Sequence, residues 1–150
     1  MLQPERRIDL RIATRVRRVA IAVIVCTLLA NLVWHELTGE PYCTACSGAA
    51  AYKPVIMLVG MMVWSLILIA DARAMRRCVA ATTGIAAGTH CGLVTYMLVN
   101  LGTCPVCLIA GALALLVLGT VAIVTDLRNL CVAGFLLTVF VFNLVLLASH

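Results

Sequence analysis

The chain has 150 residues, of which 64% are hydrophobic and only 11% are charged, and its mean hydropathy is +1.13. A soluble domain averages about half apolar residues and about a quarter charged ones, so these values exclude a water-soluble globular domain. The net charge of +5 does not indicate nucleic acid, because the arginines cluster just before or between apolar runs, as they do in membrane proteins. The length accommodates one domain.

The apolar runs predict an all-α polytopic membrane protein with five transmembrane helices. Each run has about 17–24 residues, which matches the ~20 residues that a helix needs to cross a bilayer. An open strand would leave backbone groups unpaired in lipid. The basic segment over residues 1–18 is interpreted as a short interfacial helix on the cytoplasmic surface. The predicted spans cover about residues 19–37, 54–70, 78–101, 105–125 and 130–148.

The distribution of positive charge predicts the orientation. Ten of the eleven Lys and Arg residues lie in the N-terminal segment and in the turns over residues 71–77 and 126–129, and Lys53 is the exception. By the positive-inside rule, the N-terminus is cytoplasmic, while the two remaining loops and His150 lie outside. We therefore predict a multi-pass protein of the cell inner (plasma) membrane.

Two Cys-x-x-C pairs fall in the two predicted outer loops. Cys43 and Cys46 lie in the longer loop after the first span, and Cys104 and Cys107 lie in the short connection before the fourth. Both pairs are therefore expected on one side of the membrane, close enough to exchange electrons. The four other cysteines lie singly in apolar segments, where cysteine usually acts as a small hydrophobe: Cys26, Cys78, Cys91 and Cys131.

The second pair has the pattern of a reactive thiol at a helix start. Proline is favoured at the first helical position, so Pro105 makes Cys104 the N-cap and places Cys107 one turn inside. At a helix N-terminus, free backbone N–H groups and the helix dipole stabilise a thiolate, and the second thiol can then resolve a mixed disulfide. We predict a relay in which the loop pair, Cys43 and Cys46, takes electrons from an outside substrate and the helix pair passes them to an acceptor in the membrane.

Two stripes of polar residues run toward the same end. Asn31 and His35 share a face of the first span, and Tyr96 and Asn100 share a face of the third. Polar groups at membrane depth face the bundle interior and are functional candidates, so we predict that these four donate hydrogen bonds to the carbonyl oxygens of a quinone. Interhelical hydrogen bonding is an alternative role for each of them. His90, nearer the middle of the bilayer, is predicted to be structural.

The arrangement of Cys43 and Cys46 in the first outer loop, with Cys104-Pro105-Val106-Cys107 at the start of the fourth span, resembles the vitamin K epoxide reductase (VKOR) family in its bacterial form. The resemblance implies a four-helix bundle around a quinone, either ubiquinone or menaquinone. It also implies that Cys107 is nearest the quinone and that Cys104 exchanges with the loop pair. The disulfide bond formation protein DsbB has a similar relay of two cysteine pairs, with the roles of the pairs reversed. Because bacterial members often carry a fused thioredoxin-like domain, which is missing here, the resemblance implies a separate extracytoplasmic thioredoxin-like partner.

Other functions remain open at the level of the sequence. The four paired cysteines could form a structural zinc clip or two static disulfides in an oxidising compartment. They could also serve as ligands in a transporter or sensor for mercury, copper or zinc, since soft metals select thiolate sites. A further alternative is a MauE-like redox accessory protein that matures one dedicated enzyme. We assign no metal ligand in the preferred interpretation.

Overall fold

In the computed structural model the chain is all-helical over the residues that the structure describes, namely 4–39, 53–100, 104–124 and 127–148. The predicted fold class is therefore confirmed at the level of helical content. Three helical stretches are long and apolar enough to cross a membrane, Leu10–Thr38, Arg76–Tyr96 and Pro105–Val124, whereas Met57–Ala72 and Arg128–Leu144 are shorter. The five helices are α1 (Pro4–Thr38), α2 (Lys53–Ala72), α3 (Arg76–Asn100), α4 (Pro105–Val124) and α5 (Arg128–Ala148).

The first helix is longer than the sequence pattern suggested. We expected a separate interfacial helix over residues 1–18, but α1 runs without a break for 35 residues. Pro4 stands at its start and Gly39 follows its end, with the amide of Gly39 donating to the carbonyl of His35 at 2.9 Å and a φ of 67°. A proline at the first position and a left-handed glycine after the last are favoured helix boundaries. No glycine or proline lies between them to interrupt the helix.

The second helix begins one residue earlier than predicted. The predicted span starts at residue 54, and a residue that precedes proline disfavours the helical conformation, but α2 starts at Lys53. Proline is tolerated in the first turn because its missing N–H would have no intrahelical partner there.

Helices α1 to α4 pack as a closed ring, and α5 lies outside it. In this ring α1 contacts α2 and α4, and α3 contacts the same two helices, while α5 packs mainly on α3 and less on α4. The interior is apolar, and its largest fully buried side chains include Ile21, Ile24, Trp64, Ile67, Val117 and Val121.

The approach of α5 to α3 is close because three glycines of α3 face it. An added Cβ on Gly84 would overlap the carbonyl oxygen of Cys131, and one on Gly88 would lie 2.8 Å from the carbonyl oxygen of Phe135. At Gly92 the neighbour is the ring of Phe142. Residues four apart lie on one helix face, and small residues at this spacing let helix backbones approach in membranes. Successive glycines along α3 contact successively later residues of α5, so the two helices are parallel.

At the opposite end from the cysteine pair, α1 and α2 are joined by an ion pair. Arg18 Nε donates to Asp71 Oδ2 at 2.7 Å, and Arg17 Nη2 donates to the other oxygen of the same carboxylate. Arg17 and Asp71 are buried, whereas about half of the Arg18 side chain is exposed. A tight turn, with Ala74 at a φ of 55°, then leads into α3, so α2 and α3 are antiparallel. Following the predicted orientation, we call this the inner end of the bundle and the opposite end, where α4 begins, its outer end.

We expect Gly84→Ala to destabilise the protein by about 1–3 kcal/mol, because over-packing a close contact forces backbone shifts. The matched control is Gly119→Ala in α4, where an added Cβ meets nothing within 4 Å; alanine there should leave stability unchanged or raise it through helix propensity. The measurement is unfolding of the purified protein by titration with a denaturing detergent. Equal stability of the two variants would contradict the close α3–α5 packing.

We also expect Asp71→Asn to cost about 3–5 kcal/mol in the same unfolding measurement, because removing one partner of a buried ion pair leaves an uncompensated charge on Arg17. The control is Arg18→Gln, which removes a half-exposed partner and should cost less than about 1 kcal/mol. A loss for Arg18→Gln as large as that for Asp71→Asn would show that burial of Arg17 is not what makes the pair important.

Candidate redox site at the outer end

The fourth helix begins at its predicted position. Pro105 is the first residue of α4, and the amide of Leu108 donates to the carbonyl of Cys104 at 3.0 Å. This is the first hydrogen bond of the helix, so Cys104 occupies the N-cap and Cys107 lies in the first turn. The two thiols therefore lie at a helix N-terminus, where backbone N–H groups and the helix dipole favour negative charge.

The two thiols of this pair differ in exposure. Cys104 is 4% exposed, whereas Cys107 is half-buried. The resemblance implies that Cys104 exchanges with the loop pair and that Cys107 faces the quinone. With Cys104 this well covered, exchange at its sulfur requires a local opening at the start of α4.

The contact between α3 and α4 shows which residues of α3 lie near the level of Cys107. A Cβ on Gly111 would lie 3.2 Å from Val94 Cγ2, and α3 and α4 run antiparallel because only residues 101–104 connect them. Moving one turn outward from this contact along each helix reaches Cys107 in α4 and Leu98 in α3. At a rise of about 1.5 Å per residue, the half-buried Tyr96 lies about 3 Å inward of that level.

The predicted polar residues of α1 lie at the same end. Successive helices of the ring alternate in direction, so α1 is antiparallel to α4, and its last turns lie at the end where α4 begins. Asn31 is buried, and its Nδ2 is 3.5 Å from the carbonyl oxygen of Thr27, which is long for a hydrogen bond. His35 is half-buried, and its Nδ1 is fully covered with no hydrogen-bond partner among the described residues.

Three of the four predicted quinone residues, Asn31, His35 and Tyr96, therefore lie toward one end of the ring with Cys104 and Cys107. The fourth, Asn100, ends α3 at the same end, but its side chain lies outside the described residues. Cys43 and Cys46 also lie outside them, so the predicted meeting of the two pairs remains a prediction. Within the described ranges, no group of three or more His, Cys, Asp or Glu side chains could hold a metal ion.

One buried polar contact deeper in the bundle was not predicted. The rings of Trp64 and His90 meet edge to face, with centroids 5.7 Å apart and an interplanar angle of 67°. His90 Nδ1 lies 3.2 Å from the carbonyl oxygen of Ala86, so in its neutral form the ring donates through Nδ1. This packing fits the structural role expected for His90. No pattern in the sequence indicates this contact, since Trp64 is a lone tryptophan in an apolar run.

No family model, curated protein or solved structure matches this chain. Its function must therefore be inferred from the cysteine pairs and from the way the helices place them.

The arrangement predicts which positions are accessible from each side of the membrane. Glu36 near the end of α1 is exposed, and so is Cys78 near the start of α3, at the opposite end of the bundle. In a background without other cysteines, Glu36→Cys should react with a membrane-impermeant maleimide on intact cells, because the positive-inside rule puts that end outside. Cys78 should react only after the membrane is opened. The reverse pattern, or labelling of both positions from one side, would contradict the predicted orientation.

Proposed function

We propose that this chain is a membrane thiol–disulfide oxidoreductase, similar in mechanism to the VKOR family, with all five helices spanning the membrane and the N-terminus in the cytoplasm. It oxidises a thioredoxin-like protein outside and passes the electrons to a quinone. The observation that carries the proposal is the Cys104-Pro105-Val106-Cys107 motif, which begins a long apolar helix inside a ring of four.

Two features of the packing support five spans. If α1 and α3 both cross the membrane outward, the chain must cross back between them, and α2 is the described helix that connects them. Its 20 residues extend about 30 Å at 1.5 Å per residue, which is the thickness of the hydrocarbon layer. For α5 the support is its parallel contact with α3 through the three glycines, together with its own 21 residues.

The relay conserves electrons and protons at each exchange. A dithiol of the thioredoxin-like partner reduces the Cys43–Cys46 disulfide, so one S–S bond breaks, another forms in the partner, and two electrons and two protons reach the loop pair. The loop dithiol then reduces the Cys104–Cys107 disulfide in the same way, through attack of a thiolate and a mixed disulfide. A quinone, when bound, would supply the oxidant for Cys104 and Cys107, whose two thiols would give up two electrons and two protons as their disulfide re-forms.

The residues at the outer end suit such an acceptor. The covered Nδ1 of His35, which has no hydrogen-bond partner among the described residues, can donate a hydrogen bond to a carbonyl oxygen when it carries the proton. A buried polar atom without a partner is costly unless a ligand or water satisfies it. Asn31, Tyr96 and Asn100 offer further donors. We assign these four side chains to a ubiquinone or menaquinone ring and assign Cys107 as the thiol nearest to it.

The test uses the full chain in proteoliposomes, with thiols counted by a maleimide of known mass. Adding ubiquinone or menaquinone to the reduced protein should oxidise both pairs, so four thiols are lost from labelling. Cys107→Ser should abolish this loss, because no disulfide can form at the helix start. Cys104→Ser should do the same while preserving an N-cap, since serine is a preferred capping residue. Cys78→Ser, which alters a lone exposed thiol, should oxidise as the parent does.

Several outcomes would count against the proposal. Thiol labelling that does not change when quinone is added, but is blocked by mercury, copper or zinc, would identify a soft-metal transporter or sensor. Reduction of the Cys104–Cys107 disulfide in Cys43→Ser by a purified thioredoxin-like dithiol would remove the loop pair from the relay. Activity toward a single client among many extracytoplasmic dithiol proteins would favour a MauE-like accessory role with the same chemistry.

A further inference from the structure

The inner part of α1 carries a row of arginines on one exposed side. Arg11, Arg15 and Arg18 are all exposed, and their spacing of four and three residues places them on a single helix face. Arg17 lies off this face, buried against α2 with Asp71.

A row of apolar side chains adjoins these arginines. Ile12, Val16 and Val19 are 55%, 38% and 63% exposed, and each follows an arginine of the first row by one position. The outward side of α1 therefore has a cationic half and an apolar half, with little covering from the rest of the bundle. We call these six residues the Arg11–Val19 face. A helix with this division suits the boundary between lipid headgroups and acyl chains.

Charge at the inner end is strongly unbalanced. Residues 4–18 contain six arginines against two acidic residues. Among the described side chains at this end, Asp71 is the carboxylate, and it is already shared by Arg17 and Arg18. The remaining described arginines at this end are exposed as well: Arg73, Arg76, Arg77 and Arg128. Among the described side chains at this end, the exposed arginines thus have no carboxylate to neutralise them other than that of Asp71.

We propose that the Arg11–Val19 face binds anionic phospholipids of the cytoplasmic leaflet. From Arg18 to Arg11 the helix descends about 10 Å at 1.5 Å per residue, slightly more than the ~5–8 Å of headgroup layer on each side of the hydrocarbon. The apolar half packs against acyl chains, while Arg11 and Arg15 extend along it and place their guanidinium groups at the phosphates. Arg18 stays paired with Asp71 beside them. This proposal does not depend on the redox function.

The experiment is native mass spectrometry of the full chain in detergent, titrated with phosphatidylglycerol or with phosphatidylcholine of the same acyl chains. The wild-type protein should retain phosphatidylglycerol preferentially. In Arg11→Gln/Arg15→Gln the ratio of phosphatidylglycerol to phosphatidylcholine affinity should fall about tenfold or more, given the usual contribution of a basic residue near an anionic membrane. The matched control, Arg73→Gln/Arg128→Gln, removes the same charge at the same end and should change that ratio less than about twofold.

Arg11→Lys/Arg15→Lys retains the charge that sets orientation and should keep most of the preference, so the comparison does not depend on the glutamine variant inserting correctly. Equal retention of the two lipids by the wild-type protein would overturn the proposal. An equal loss in the control would also overturn it, because the attraction would then belong to the whole inner end. Binding of polyglutamate with the same dependence on Arg11 and Arg15, without selectivity for phosphatidylglycerol, would instead identify a docking surface for an acidic protein.

Discussion

The carboxylate of Asp71 holds the inner ends of two helices together, and the position of the thiols depends on this. Arg17 and Arg18 of α1 both bind it, and the tight turn that follows sends α3 back alongside α2. Once α1, α2 and α3 alternate in direction, α4 must begin where α1 ends. The start of α4, with Cys104 and Cys107, therefore lies at the same end as the polar turns of α1. A buried ion pair at one end of the bundle thus helps to determine where the start of α4 lies at the other.

The proposed relay uses this ring in two ways. Backbone hydrogen bonds in lipid must be satisfied within the helices, so the unbonded N–H groups at the start of α4 are among the few polar backbone groups available to a thiolate. The ring also supplies side chains from its other members, since α1 and α3 bring His35 and Tyr96 toward the end where Cys107 lies. A single helix with the same motif would offer the free N–H groups but not the side chains from neighbouring helices.

Local signals in the sequence were sufficient for the helices themselves. Apolar length and Pro105 before an apolar run are properties of consecutive residues, and they locate the helix ends to within one or two residues, apart from the start of α1. The helix does not break near residue 18, because a change from basic to apolar composition alters the environment of a helix without ending it. Packing was harder to predict. Gly84, Gly88 and Gly92 show their spacing in the sequence, but nothing there identifies α5 as the partner, and the Trp64–His90 contact depends on how α2 and α3 are rotated.

The glycine face of α3 also has a consequence for biogenesis. Because α4 separates α3 from α5 along the chain, α3 is synthesised and inserted while the partner for its closest contact does not yet exist. Until α5 arrives, the backbone at Gly84 and Gly88 faces lipid, or a translocation partner, without side chains to shield it. The ring of four helices can assemble first, but its α3 member acquires its final neighbour only afterwards. Maturation of the bundle is therefore expected to be stepwise, with the docking of α5 as a separate late event.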